Sequence, residues 1–395
     1  MCSAPRTARG TTRGTRLAAR LPLAVLTGFL GSGKTTLLKR LLTHPAMART
    51  AVVINEFGDV GLDDAFMERA DEDTVVLASG CVCCTIRSDL PEALARLRGR
   101  VRSGKIPAFD RVGLETTGLA DPAPIVHTLM TDARLARQFR LENVIATVDA
   151  QHGLRQLDEH FEPAKQAAVA DRIVLTKTDI APATDVETLH GRLRELNPSA
   201  PILLAVHGDI APRRLFGAGL YDPRNRTPDV RRWLDEESYR AAPFDRHETH
   251  VHAREDVPGE HSGGHGADTH KDRHRHGIDS FCLTFSQPLE WADLAQAFAL
   301  LIQMHGDKLL RIKGLVNARA EHAPIAIHGI QHVFYPPARL GTWPSDDRRT
   351  KIVFIVRDLD VETVRQLFSP FVAGRGRSSQ GGANANARRM VDAAS

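Results

Sequence analysis

Residues Gly28-Phe29-Leu30-Gly31-Ser32-Gly33-Lys34-Thr35 fit G-x-x-x-x-G-K-[ST] in full, and no other stretch constrains the fold of this chain as tightly. Such a loop works only where a strand enters it and a helix leaves it, so that backbone N–H groups converge on phosphate oxygens. Both flanks agree. Leu23 to Leu26 reads as a strand, and Leu37, Leu38, Leu41 and Leu42 recur at helical spacing. Glycines Gly28, Gly31 and Gly33, with Ser32, let the backbone approach the phosphates. Lys34 reaches the β and γ oxygens as a catalytic cation, and the Thr35 hydroxyl is placed to hold Mg²⁺.

The pattern around the loop repeats. Apolar runs at Ala51 to Ile54, Thr74 to Leu77, Arg111 to Leu114, Val144 to Val148, Ile173 to Leu175 and Ile202 to Val206 alternate with helical periods such as Leu90, Leu94, Leu97 and Val101. This predicts an α/β fold: a P-loop parallel sheet with helices on both faces, over residues 21–242. The alternation stops near Pro243, and 243–277 reads as a polar, His-rich linker. A smaller α+β C-terminal domain is expected over 278–372. Its strands are expected at Phe281 to Phe285, Leu309 to Val316, Ile325 to Phe334 and Ile352 to Val356, and its helix carries Trp291, Leu294, Phe298 and Leu301 or Ile302 and ends at Gly306. Residues 1–20, with Arg6, Arg9, Arg13, Arg16 and Arg20 and no acid, and residues 373–395, rich in Gly, Ser, Ala and Asn, read as disordered tails.

Composition excludes several classes. With 42% apolar and 25% charged residues the chain is neither wholly disordered nor fibrous. Five cysteines in 395 residues do not make a disulfide scaffold, and no apolar run is long enough for a membrane span. The expectation is a soluble, cytoplasmic protein. A formal net charge of +4 gives no reason to expect a nucleic-acid or membrane partner.

Thr176-Lys177-Thr178-Asp179 follows the sixth of these strands, where a guanine-recognition loop falls. An aspartate there accepts from both the ring NH and the 2-amino group of guanine, and the lysine stem covers the base; adenine offers no such pair of donors. GTP is therefore the expected nucleotide, bound by Lys177 and Asp179. The usual pattern opens with Asn, and Thr176 replaces it.

Cys81-Val82-Cys83-Cys84 places three of the five cysteines within four residues, in what reads as a polar loop between a strand and a helix. Structural burial, redox chemistry and metal capture are all open to such a cluster. Metal capture fits it best, because a helix N-terminus favours thiolate, and three thiolates suit Zn²⁺ or another borderline-soft ion. Two acidic stretches also end strands: Asn55-Glu56-Phe57-Gly58 and Glu115-Thr116-Thr117-Gly118. In an open parallel sheet, ligands bind at the carboxyl ends of strands. The phosphate loop, the thiols, Glu56 and Glu115 are thus expected along one edge. There Glu115 polarises water or holds the Mg²⁺ shell, and Gly118 offers its N–H to the γ-phosphate.

Taken together, GFLGSGKTT (28–36), NEFGDVGLD (55–63), GCVCCTIR (80–87), LETTGLADP (114–122) and TKTD (176–179) resemble the CobW-like metallochaperone branch of the P-loop GTPases. RIKG (311–314) and HGIQHVF (328–334) are similar to that family's C-terminal domain. The resemblance implies a GTPase that carries Zn²⁺ or Co²⁺ at Cys81, Cys83 and Cys84 and delivers it to a client protein or cofactor pathway. It extends the phosphate and Mg²⁺ site to Thr36 and makes Glu56 a further metal ligand or switch residue. A homo-oligomer is compatible with it.

Eight of the 18 histidines fall in one segment: His247, His250, His252, His261, His265, His270, His274 and His276. Neutral imidazoles on a flexible polar stretch collect transition metals without a preformed geometry. The same stretch also fits a plain solvated linker. His305, His328 and His332 are expected to be structural or surface residues. Two other functions stay open: a metal buffer with a regulatory nucleotide domain, and a nucleotide-dependent kinase or ATPase with redox-sensing cysteines.

Overall fold

The computed structural model describes residues 20–54, 67–71, 74–77, 82–85, 90–216, 240–243 and 276–372, of which 67–71, 74–77, 82–85 and 240–243 are described as backbone. The expected tails and linker, Glu56, Cys81, and His247 to His274 of the histidine segment lie outside these residues.

The first half is built of β1 (Leu21–Gly28), α1 (Lys34–Leu42), β2 (Thr50–Ile54), β3 (Met67–Asp71), β4 (Thr74–Leu77), β5 (Val82–Thr85), α2 (Leu90–Arg102) and β6 (Arg111–Glu115). It continues with α3 (Pro122–Thr131), α4 (Ala133–Gln138), β7 (Phe139–Asp149), α5 (Gly153–Glu159), α6 (Phe161–Val169), β8 (Arg172–Thr176), α7 (Ala183–Leu196), β9 (Ile202–Ala205) and α8 (Pro212–Leu215). The strands form one sheet in the order β3-β4-β5-β2-β6-β1-β7-β8-β9. From β5 to β9 every pairing is parallel, while β4 runs antiparallel to both of its neighbours.

From β2 to β8 both faces of the sheet carry buried residues, as its parallel part requires. Alternate residues of β8 separate the two layers. Ile173 and Leu175 join the cluster of Leu94, Val126, Ala167 and Leu193, whereas Val174 joins Leu37, Leu41, Leu203 and Leu215. That is why these strands read as unbroken apolar runs.

The second sheet contains β10 (Arg240–Pro243), β11 (Ile278–Phe285), β12 (Leu309–Val316), β13 (Ile325–Ile330), β14 (Val333–Phe334), β15 (Ala338–Arg339) and β16 (Thr350–Arg357). It is antiparallel apart from β10, which lies parallel to β11. Two helices, α9 (Trp291–His305) and α10 (Val361–Val372), cover one face. There Phe281, Phe285, Phe298, Phe354 and Phe368 make a nearly waterproof aromatic core. The expected run Ile325 to Phe334 is broken at Gln331, whose φ of 51° turns the chain into β14.

The other face of this sheet meets the nucleotide domain. Ile278, Leu310, Ile330 and Ile355 belong to the same apolar cluster as Val169 and Leu196 of the first domain. Charged residues sit within that seam. Asp171, just before β8, pairs with Arg311 and, at 3.1 Å, with Lys313, both on β12. All three side chains are less than 10% exposed. His328 is buried here too, which matches its expected structural role. Burial alone would raise the Asp171 pKa, but the Arg311 and Lys313 charges outweigh it and hold the carboxyl below its ordinary value. Among the described residues no helix is long and apolar enough to cross a membrane.

Removing one partner of a buried ion cluster leaves the others uncompensated, at a cost of about 3–5 kcal/mol. Asp171→Asn is therefore expected to lower the denaturant midpoint of the full chain by a corresponding amount near neutral pH. Because the folded pKa is depressed, the parent's advantage is present above the unfolded value of about 3.9 and disappears as pH falls through the folded one. Equal midpoints for parent and variant at pH 7 would show that the seam ions contribute nothing.

Candidate functional site

The phosphate loop sits between the end of β1 and the start of α1, and its shape depends on neighbours as much as on its own glycines. Gly28 has φ of 143°, and a Cβ there would lie 2.3 Å from Thr147 Oγ1, so only glycine lets β1 pass β7 at this point. Gly33 is the N-cap of α1 at φ 84°. Ser32 Oγ is 2.7 Å from Thr147 Oγ1, and the Thr176 hydroxyl donates to the Ser32 carbonyl at 2.8 Å. Lys34 is buried. Its ammonium donates to the carbonyls of Gly28 at 2.8 Å and Phe29 at 3.1 Å, which centres it over the loop. Thr36 is exposed on the first turn of α1 and Gly31 at the loop's tip.

Glu115 ends β6. The parallel register sets it level with Leu26 of β1 on one side and Ile54 of β2 on the other, so its position is fixed by the sheet itself. Its Oε1 accepts a 2.7 Å hydrogen bond from Thr35 Oγ1, and the residue is only 2% exposed. A carboxylate anchored to the hydroxyl expected to hold Mg²⁺ is suited to a metal shell; a solvent-facing base would be free of Thr35. After Glu115 the chain turns over the phosphate loop. A Cβ on Gly118 would come within 2.6 Å of Leu30, and the Gly118 carbonyl accepts from Gln166 at 3.1 Å. Asp121 closes this turn by capping α3, accepting from Ala123 N at 3.0 Å and from Lys165 at 2.6 Å.

At the expected base-recognition position, Lys177 adopts φ of 57° and its ammonium donates to Asp149 Oδ2 at 2.8 Å. Asp149 is 1% exposed, so the lysine stem is held in place from below. Asp179 is partly exposed, with His207 Nε2 at 3.5 Å.

The thiol segment departs from expectation. Val82 to Thr85 is a strand, not a polar loop, paired parallel to β2 and antiparallel to β4. Val82 and Thr85 favour extended backbone and outweigh the turn signal of Gly80. Helix α2 is described from Leu90 onward. The register places Cys84 opposite Val53 and Thr85 opposite Ile54, and Ile54 is itself opposite Glu115.

Known proteins bear on the same segments. Residues 22–204 match the model described as "CobW/HypB/UreG, nucleotide-binding domain", and residues 278–372 match "Cobalamin synthesis protein cobW C-terminal domain". Zinc chaperone YjiA of Escherichia coli is 32% identical over 350 residues, covering 88% of this chain and 98% of that protein. This chain belongs to the CobW/HypB/UreG family. Zinc-regulated GTPase metalloprotein activator 1 of Saccharomyces cerevisiae is 28% identical, covering 88% of this chain and 82% of the relative. The crystal structure of Zn(II)-bound YjiA GTPase from E. coli superimposes with a TM-score of 0.66 at 30% identity, over 89% of this chain and 99% of that one. The likeness extends through both sheets.

Within this CobW-type site several working residues were not apparent from sequence. Thr147 and Asp149 lie at the end of a long apolar strand, and only their position next to β1 and β8 gives them a task. Thr176 looked like a lost contact. Its hydroxyl nevertheless reaches both Ser32 O and, at 3.3 Å, Val148 O, and so ties the base loop to the phosphate loop. Of the histidine segment only His276 is described: its Nε2 is 2.7 Å from the Leu157 carbonyl and its ring meets Phe161 edge-on, which places it at the seam.

Thr176→Val keeps the shape and removes the hydroxyl. Losing one such hydrogen bond costs about 1 kcal/mol, so GDP affinity measured by calorimetry is expected to fall about fivefold. An unchanged affinity would mean that the loop holds its form without the tether.

Proposed function

We propose that this chain is a GTP-hydrolysing metallochaperone that binds Zn²⁺, with Co²⁺ as a second candidate, at Cys81, Cys83 and Cys84, and hands it to a client protein or cofactor pathway in the cytoplasm. The observation that carries the reading is a register. Thr85, next to Cys84, is level with Ile54, and Ile54 is level with Glu115, so the thiol strand stands two strands from the carboxylate that holds Thr35. Two strand spacings are about 10 Å. A change at the γ-phosphate side of Glu115 is thus close enough to alter the thiol segment through β2 and the Glu56 stretch that follows it.

In this reading Lys34, Thr35, Thr36 and the glycines Gly28, Gly31 and Gly33 hold the phosphates with Ser32. Thr35 and Glu115 hold the Mg²⁺ shell, Gly118 offers its N–H to the γ-phosphate, and Lys177 with Asp179 selects guanine. Catalysis then rests on positioned charge: Lys34 on the transferring phosphoryl oxygens and the Thr35–Glu115 pair fixing the Mg²⁺ side. Glu56 adds a ligand or a switch contact. His247, His250, His252, His261, His265, His270 and His274 gather ions weakly and pass them to the tighter thiols.

The reading is tested by Zn²⁺ titration against a chromogenic chelator, with and without GTP. Cys83→Ala is expected to lose affinity at the tight site by about tenfold or more, and GTP is expected to shift the parent's Zn²⁺ affinity. A variant that binds Zn²⁺ as tightly as the parent removes the thiols from the proposal. Deleting 247–275 is expected to lower the number of weakly held ions and leave the tight site. Loss of the tight site with that deletion would instead mark a storage protein.

A further inference from the structure

Gln166 lies in the interior, on α6, and is only 2% exposed. Its side-chain nitrogen donates to two carbonyls of the turn that leaves β6: Gly118 at 3.1 Å and Ala120 at 3.0 Å. Both acceptors are carbonyl oxygens, so the amide has one workable orientation, with its NH₂ toward the turn. The Oε1 faces away from them, and among the described residues it is buried without a hydrogen-bond partner. A buried acceptor left unpaired is destabilising. Stability alone therefore does not explain an amide at this position, and the residue is accounted for by what its nitrogen holds.

The turn from Thr116 to Asp121 belongs to no helix or strand, so side chains have to place it. Gly118 is packed on the phosphate loop: a Cβ there would lie 2.6 Å from the Leu30 side chain and 2.9 Å from its Cα. Helix α6 holds the same turn at a third point, where Lys165 donates to Asp121 at 2.6 Å. The helix is itself a fixed base. At its start, His160 stacks on Phe29 of the phosphate loop, with ring centroids 5.0 Å apart. At its end, the buried Asn197 donates to the carbonyls of Ala167 at 2.8 Å and Ala170 at 2.9 Å. One helix thus sets the phosphate loop and the turn relative to each other.

We propose that Gln166 is a positioning residue for GTP hydrolysis, which sets Gly118 at the γ-phosphate end of the phosphate loop and so acts on GTP but not on GDP. The proposal rests on the reading of Gly118 as a γ-phosphate contact. Gln166 acts through the turn: once its two carbonyls are released, the chain is free to rotate about Gly118 and the N–H leaves its place. A misplacement of about 1 Å is enough to cost up to about a hundredfold in rate. GDP has no γ-phosphate and does not use the contact.

The test compares the full-length parent, Gln166→Met and Gly118→Ala by steady-state GTP hydrolysis and by calorimetric titration of GDP and of a non-hydrolysable GTP analogue, with the denaturant midpoint as a check on folding. Methionine keeps the length of the side chain and removes the two donors together with the unpaired oxygen, so the midpoint is expected to move little. For Gln166→Met, kcat is expected to fall about tenfold or more and the analogue's affinity about fivefold, while GDP affinity stays within about twofold of the parent. Gln166→Asn, which keeps the amide and withdraws it by one methylene, is expected to give the same split between GTP and GDP. A structural role alone would lower both affinities together or neither, and that result overturns the proposal. Parental kcat in Gln166→Met beside a slow Gly118→Ala overturns it as well and leaves the γ-phosphate reading of Gly118 standing. Parental kcat in Gly118→Ala removes that reading, and the proposal falls with it.

Discussion

The parallel pairing of β1 with β6 on one side and β7 on the other is the constraint from which the nucleotide site follows. Because the three strands run in register, Leu26, Glu115 and Ile145 share one level and Gly28 stands beside Thr147. The phosphate loop is thereby enclosed by polar side chains at strand ends: Thr147 on Ser32, Thr176 on the Ser32 carbonyl and Glu115 on Thr35. The first two of these bonds are buried and the third part-buried, and each fixes a group of the phosphate loop in place, which is what the proposed GTPase chemistry requires. Preorganisation of this kind is where an electrostatic catalyst obtains most of its advantage, since the dipoles need no rearrangement during the reaction.

The second constraint is the two-sided burial of the C-terminal sheet. One face is a closed aromatic core under α9 and α10, and the other is pressed on the nucleotide domain. Arg311 and Lys313 occupy alternate positions of β12 on that second face, where a buried charge requires a partner, and Asp171 supplies it from across the seam. An apolar seam alone would tolerate sliding. The ion cluster fixes one register between the domains, because any shift would draw the buried Arg311 and Lys313 away from Asp171.

Much of this was legible in the chain, and for identifiable reasons. The strands flanking the phosphate loop were readable because two-sided burial leaves unbroken apolar runs, and Gly28 to Thr35 set their topology. Glu115 was readable as a strand-end residue, and Asp179 as a residue just past a strand end, because the apolar runs before them stop there. The parts that were missed depend on contacts distant in sequence. Met67 to Asp71 has no alternating apolar pattern and becomes β3 only by pairing with β4. Cys83 and Cys84 resemble a metal loop locally, yet β2 recruits them into the sheet. Asp171 looks like an ordinary loop acid until β12, some 140 residues later, brings Arg311 to it.

Strand β8 shows how these constraints combine. Its carboxyl end holds the phosphate loop through Thr176, while its amino end adjoins Asp171 in the seam. A strand hydrogen-bonded on both sides neither lengthens nor twists freely, so these two features keep a fixed relation to one another. Relative motion has to use a softer connection. The turn from Thr116 to Asp121 meets both the phosphate loop and the C-terminal domain: Gly118 packs on Leu30, and Asp121 accepts from Gln331 at 3.4 Å, the long contact beside its 2.6 Å bond to Lys165. A γ-phosphate contact at Gly118 would act on this turn first, and the seam at Asp171 would serve as the fixed point against which the turn moves.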